Sequence, residues 1–121
     1  MTTQPAVLVV DDDPNYREMI VLMGQMWGIV VLEAGDCGQA LQILDRGKNR
    51  IRLILLDYFM PGMEPTQCAA ALIAKAGPSI PIILVTAAAD PAVRAAELKL
   101  SHWLSKPLDM SVLEVLFKKA A

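Results

Sequence analysis

Short, wholly apolar runs punctuate the chain at Val7–Val10, Ile29–Leu32, Ile51–Leu56, Ile80–Val85 and Trp103–Leu104. They are rich in Val, Ile and Leu and do not alternate with polar residues. A strand buried on both faces has this pattern, as in a parallel sheet covered by helices. Between the runs, apolar residues recur every three or four positions. Tyr16, Met19, Ile20, Met23 and Trp27 form one such stripe. Ala40, Ile43 and Leu44 form a second, Ala70, Ile73 and Ala74 a third, and Val112, Val115 and Leu116 a fourth. This spacing predicts amphipathic helices with those residues facing inward. Asp13-Pro14 and Asp90-Pro91 each place a capping acceptor before a proline at a first helical position. Asp36 and Asp109 are expected to cap two more helices, and Gly47 and Gly77 to end two. The order is strand then helix, five times over. That predicts an α/β domain, a doubly wound five-stranded parallel sheet with five helices on its two faces.

Composition narrows the class. Hydrophobic residues make up 55% of the 121 and charged residues 20%, which excludes a disordered chain and suits a single domain spanning 1–121. Eleven basic against 13 acidic residues give no electrostatic reason for direct nucleic-acid binding. The longest apolar stretch, Ile20–Leu32, is broken by Gly24, Gln25 and Gly28 and falls short of the about 20 residues a membrane helix needs. Met1–Pro5 carries no basic residue, so no secretory leader is expected. With neither a membrane helix nor a leader, a cytoplasmic protein is expected, and Cys37 and Cys68 are too few for a disulfide scaffold and are read as small packing residues in a reducing compartment. The 55% apolar content is high for a small domain. Either the core is unusually continuous, or apolar surface is left over for a partner.

In open parallel sheets, ligands bind at the carboxyl ends of the strands. Four of the five predicted strands end on polar groups there: Asp11, Asp12 and Asp13 after the first, Asp57 after the third, Thr86 after the fourth and Lys106 after the fifth. Glu33 follows the second and is given no role. Clustered carboxylates repel and require a counter-charge. Mg²⁺ meets that need, since it takes one or two carboxylates and leaves room for phosphate oxygens. Lys106 adds a compact positive charge and Thr86 a neutral donor. A carboxylate nucleophile, a metal, a lysine and a hydroxyl together describe a phosphoryl-transfer site. Asp13 is assigned to capping, the methionines to core filling and His102 to the surface.

These residues stand in four motifs: Val-Leu-Val-Val-Asp-Asp-Asp-Pro at 7–14, Leu-Ile-Leu-Leu-Asp-Tyr-Phe-Met-Pro at 53–61, Pro-Ile-Ile-Leu-Val-Thr-Ala at 81–87 and Leu-Ser-Lys-Pro at 104–107. In this order they resemble the receiver domains of bacterial response regulators, from about Ala6 to Phe117. The resemblance implies a flavodoxin-like (CheY-like) sheet with strand order 2-1-3-4-5. It implies that Asp57 accepts a phosphoryl group from a sensor histidine kinase or a phosphotransfer protein. It also implies that Asp12 binds Mg²⁺ directly, Asp11 mainly through water, with Asp57 and the backbone carbonyl of Phe59 as further ligands. Thr86 and Lys106 would contact the phosphoryl oxygens. Trp103 stands where the family usually has Tyr or Phe, a ring that turns inward when the threonine moves. Lys106-Pro107 would be a cis peptide. The output surface, toward a target protein, an output domain or a second copy in a homodimer, would be the face of the fourth helix, fifth strand and fifth helix. Such a receiver catalyses its own phosphoryl transfer and slow dephosphorylation but is not a turnover enzyme.

The chain departs from the family pattern in places. Pro65 replaces the usual glycine after Met-Pro and is expected to open the third helix. Lys99 stands where a glycine usually ends the fourth helix. Thr86 precedes Trp103 by 17 residues, and many relatives have two more, so the fourth helix should be short. Phe59 and Ala88 flank the phosphate position and are both apolar, which predicts slow loss of phosphate to water. Two other readings compete. One is a haloacid-dehalogenase-like phosphatase with Asp11 as nucleophile. The other is a phosphorylation-independent receiver-like interaction module. The chain carries no output segment of its own, so it is read either as a free-standing receiver or as part of a longer protein.

Overall fold

A computed structural model describes residues 4–120. Part of the Met1–Pro5 reading therefore lies outside the described residues. Five strands and five helices alternate: β1 (Ala6–Val10), α1 (Pro14–Met26), β2 (Val30–Ala34), α2 (Cys37–Gly47), β3 (Ile51–Asp57), α3 (Pro65–Ala76), β4 (Ile82–Thr86), α4 (Pro91–Glu97), β5 (His102–Ser105) and α5 (Met110–Ala120). All strand pairs are parallel, and the sheet order is β2-β1-β3-β4-β5.

Alternate residues of the central strands feed two separate cores. Leu8, Val10, Ile54, Leu56 and Leu84 pack under α2, α3 and α4, with Ala40, Leu44, Ala69 and Leu72. Val7, Val9, Leu53, Leu55 and Val85 pack under α1 and α5, with Ile20, Leu113 and Phe117. This two-sided demand is why β1, β3 and β4 read as continuous apolar runs. β2 and β5 lie at the sheet edges and are only partly covered, so burial of all five strands on both faces is corrected.

Two helical stripes are corrected as well. The inward face of α3 is Cys68, Ala69, Leu72 and Ala76, and Ile73 points outward. In α5 the inward residues are Leu113 and Phe117, whereas Val112 and Val115 are exposed. Both helices are apolar around most of their circumference, so periodicity alone does not orient them. The surplus apolar content thus has a place. Part of it lies on the outer side of α5 and on β5, at Val112, Val115 and Trp103, and part at Leu22 and Met26 on α1, at Phe59 and at Val93 on α4.

Most punctuation behaves as its chemistry dictates. The Asp13 carboxylate accepts from the amides of Asn15 and Tyr16, and that of Asp36 from Gln39. Asp109 accepts from the amide of Ser111 at 2.8 Å. Asp90 precedes α4, but its carboxylate is engaged by Arg94 rather than by the helix amides. Gly47 does not stop its helix cleanly, because a 3₁₀ turn follows over Lys48–Arg50. Gly77 does end α3, at φ +77°. The third helix opens at Pro65, and α4 has only seven residues. Lys99 takes the left-handed φ of +61° after it, the conformation glycine would adopt at lower cost. Lys106-Pro107 is cis.

The cysteines correct a further expectation. Cys37, the first residue of α2, and Cys68, in the first turn of α3, are joined by a disulfide with Cα atoms 5.9 Å apart. Both remain buried in the core. A spacing of 31 residues conceals a pair that two neighbouring helices bring together. The inference from unpaired cysteines to a reducing compartment therefore loses its basis.

Candidate functional site

The sheet order splits the connections after β1 and β3 to opposite sides of neighbouring strands. Their carboxyl ends therefore open a cleft between Val10 and Leu56, which are register partners. Asp11 and Asp57 lie at this edge and are almost fully buried, whereas Asp12 is exposed. One carboxylate oxygen from each of the three lies within 4.8 Å of the others. β5 brings Lys106 to the same place from 95 residues away: its ammonium donates to Asp11 Oδ2 at 2.9 Å and lies 3.4 Å from Asp57 Oδ1.

The local backbone serves this arrangement. Asp11 Oδ1 accepts from the amide of Asp13 at 2.9 Å, which turns the chain into the α1 cap. Arg17 donates to the carbonyl of Asp11 at 2.7 Å and pairs with Glu33 at 3.2 Å. Glu33, left without a role by sequence reasoning, thus orients an arginine that holds the acidic loop. Lys106 is anchored through its amide, which donates to the Thr86 carbonyl at 2.9 Å.

The electrostatics are strained toward negative charge. Burial pushes the Asp57 carboxyl up to about 6, and the charge of Asp11 adds to the rise, while Lys106 opposes it. Burial pulls the Lys106 ammonium down, but its hydrogen bond to Asp11 and the charges of Asp57 and Asp11 outweigh this and raise it. Three carboxylates face one ammonium, and every acidic donor is a hard oxygen. That donor set fits a divalent cation of the Mg²⁺ type, which would supply the missing positive charge.

Among the described residues, neither the Thr86 hydroxyl nor the Trp103 side chain hydrogen-bonds to the acidic cluster. Thr86 is completely buried, and its Oγ1 accepts from the amide of Ala88 at 3.1 Å. Trp103 faces outward on β5, along a groove it shares with His102, Leu104, Val112 and Leu116. Phe59 is also exposed, with its ring edge-on to Tyr58 at 5.0 Å between centroids.

Sequence reasoning missed Tyr58, the residue after Asp57. Its hydroxyl donates to Glu97 Oε2 at 3.0 Å and accepts a longer contact from Arg94 at 3.5 Å. The strand carrying Asp57 is thereby joined to α4. The sequence signal was only the i,i+3 pairing of Arg94 with Glu97 on a short helix, which carries no information about Tyr58.

Comparison with known proteins agrees with this geometry. The family model of the response regulator receiver domain matches residues 7–118. The positive alginate biosynthesis regulatory protein of Pseudomonas aeruginosa is 37% identical over 118 residues, covering 95% of this chain and 46% of that protein. The DNA-binding response regulator MtrA of Mycolicibacterium smegmatis is 40% identical over 91 residues, 74% of this chain and 37% of that protein. The chain thus spans less than half the length of these two relatives. Among solved structures, the response regulator TrrA of Thermotoga maritima, in complex with Mg(2+)-BeF, superposes with a TM-score of 0.80 at 27% identity, covering 98% of this chain and 100% of that one.

The chain belongs to the response regulator receiver domain family. Neither the haloacid-dehalogenase-like phosphatase nor the phosphorylation-independent module is favoured. Among the described residues, no helix is long and apolar enough to cross a membrane.

Proposed function

We propose that Asp57 is the phosphoryl acceptor, taking the group from the phosphohistidine of a sensor histidine kinase or phosphotransfer protein. The observation that supports this best is the convergence of Asp11, Asp12 and Asp57 within 4.8 Å, with the Lys106 ammonium between Asp11 and Asp57. An Asp57 carboxylate oxygen attacks phosphorus, and the bond from phosphorus to the imidazole nitrogen breaks. The carboxylate must be ionised to attack, which a pKa of about 6 permits near neutral pH.

Asp11, Asp12, Asp57 and the backbone carbonyl of Phe59 would hold Mg²⁺, which when bound neutralises charge on the incoming group. Lys106 exchanges a carboxylate partner for a phosphoryl oxygen. Thr86, whose Oγ1 accepts from the Ala88 amide, donates its hydroxyl proton to another, which draws the β4–α4 loop toward the site and shifts a pre-existing equilibrium. Trp103 then turns inward, and the α4–β5–α5 face changes shape for an output domain, a target protein or a second copy. The output is signalling through a self-catalysed transfer, with slow autodephosphorylation and no turnover of a separate substrate. A cytoplasmic site of action suits a phosphohistidine donor.

The test is incubation with Mg²⁺ and a small acyl phosphate, followed by intact mass. Wild type should gain one phosphoryl group and Asp57→Asn none. A phosphoryl group retained on Asp11 in the Asn variant would reverse the assignment.

A further inference from the structure

Lys106 touches more than carboxylates. Its ammonium lies 4.3 Å from the centroid of the Tyr16 ring, in cation–π range. Tyr16 is in the first turn of α1, and its amide is bound by the same Asp13 carboxylate that caps the helix. The ring packs against the core formed by α1 and α5. Its hydroxyl is buried and has no hydrogen-bond partner among the described residues.

A lysine head group is a strongly hydrated point charge on a flexible stem. Here it is only 21% exposed, so something must replace its lost water. Asp11 accepts one of its three N–H groups and Asp57 lies at longer range. The ring face offers negative electrostatic potential from a third direction. It also has a property that another carboxylate would lack. A ring attracts the cation without presenting a strong acceptor that would compete with phosphoryl oxygens. Lys106 can therefore leave Asp11 or Asp57 for an incoming group while remaining supported from below.

We propose that Tyr16 is a positioning residue for phosphoryl transfer: its ring carries the Lys106 ammonium at the mouth of the cleft between Asp11 and Asp57. This rests on the reading of Asp57 as the phosphoryl acceptor. The role belongs to the ring and not to the hydroxyl, which finds no partner. Phenylalanine should therefore serve as well as tyrosine, and an apolar residue without a π face should not.

The test compares wild type, Tyr16→Phe, Tyr16→Leu and Tyr16→Met in the full chain, with folding checked by urea denaturation. Phosphorylation rates are measured with Mg²⁺ and a small acyl phosphate, and the Lys106 ε-methylene shift is read by NMR without phosphodonor. Wild type and Phe should share an upfield ring-current shift and the same rate. Leu and Met should lose the shift and slow the reaction about three- to tenfold, as loss of a partly desolvated cation–π contact implies. In a Lys106→Ala background the Leu substitution should add nothing.

A Leu or Met variant that is folded and reacts at the wild-type rate would overturn the proposal. So would a Phe variant as slow as Leu, or a Leu effect that persists without Lys106. Wild type that accepts no phosphate would overturn the Asp57 assignment instead, and the NMR comparison would still decide the Tyr16–Lys106 contact.

Discussion

Replacing Asp57 with Asn should stabilise the protein in the absence of divalent cations, and only above about pH 4. The Asp57 side chain is 6% exposed, and its carboxyl titrates at about 6 rather than at 3.8. The folded state therefore holds this proton more tightly than the unfolded chain does. As pH rises from about 4 to about 6, the unfolded state releases its proton first, and wild-type stability falls across that window. The difference between the two values corresponds to about 3 kcal/mol at full strength. Solvent reaching the cleft beside exposed Asp12 screens the charges, so about 1–2 kcal/mol is expected. Asn keeps the size of the side chain and removes its charge, and Lys106 keeps its 2.9 Å bond to Asp11. Urea denaturation of both proteins in chelator, from pH 4 to pH 8, measures the difference. It should be near zero at pH 4 and reach its plateau in favour of Asn above pH 6. Mg²⁺ should shrink it, because a cation bound only to the folded state stabilises wild type. An Asn variant less stable than wild type at pH 7 in chelator, or a difference indifferent to pH, would show that the buried charge of Asp57 does not destabilise this cleft.

Three further outcomes are expected. Phe59→Asn should speed loss of phosphate from Asp57, followed as decay of the phosphorylated mass after donor removal, and an unchanged decay would remove Phe59 as a barrier to water. Reducing the Cys37–Cys68 bond should lower stability by about 3–4 kcal/mol, the loop entropy of a crosslink spanning 31 residues, as read from urea midpoints with and without reductant. Gly24→Ala should cost about 1–3 kcal/mol despite alanine's better helix propensity, because a Cβ there would meet Val31 Cγ2 at 2.5 Å and the Ile29 carbonyl at 2.7 Å. The α1–β2 connection cannot easily yield, since the Ile29 amide donates to the Gly24 carbonyl at 2.8 Å, and a neutral substitution would mean that it does.

The sequence by itself determined the alternation of strands and helices, because each central strand had to be apolar on both faces and each helix on one. It also determined which strand ends carry acids, threonine and lysine, since those polar groups interrupt buried runs with no other reason to be there. The caps at Asp13 and Asp36 were legible for the same reason: their chemistry is local. What involves residues far apart was decided only by the tertiary structure. The Cys37–Cys68 bond arises because α2 and α3 lie side by side on one face of the sheet. The outward turn of Val112, Val115 and Ile73 follows from which side of a nearly all-apolar helix meets the sheet. The bond from Tyr58 to Glu97 crosses from the β3 end to α4. Tyr16 reads in sequence as one more apolar position on a helix, and only the arrival of β5 places the Lys106 ammonium over its ring. Local patterning records what each segment must bury or cap. It does not record which distant group will share a buried charge, and in this receiver that sharing defines the site.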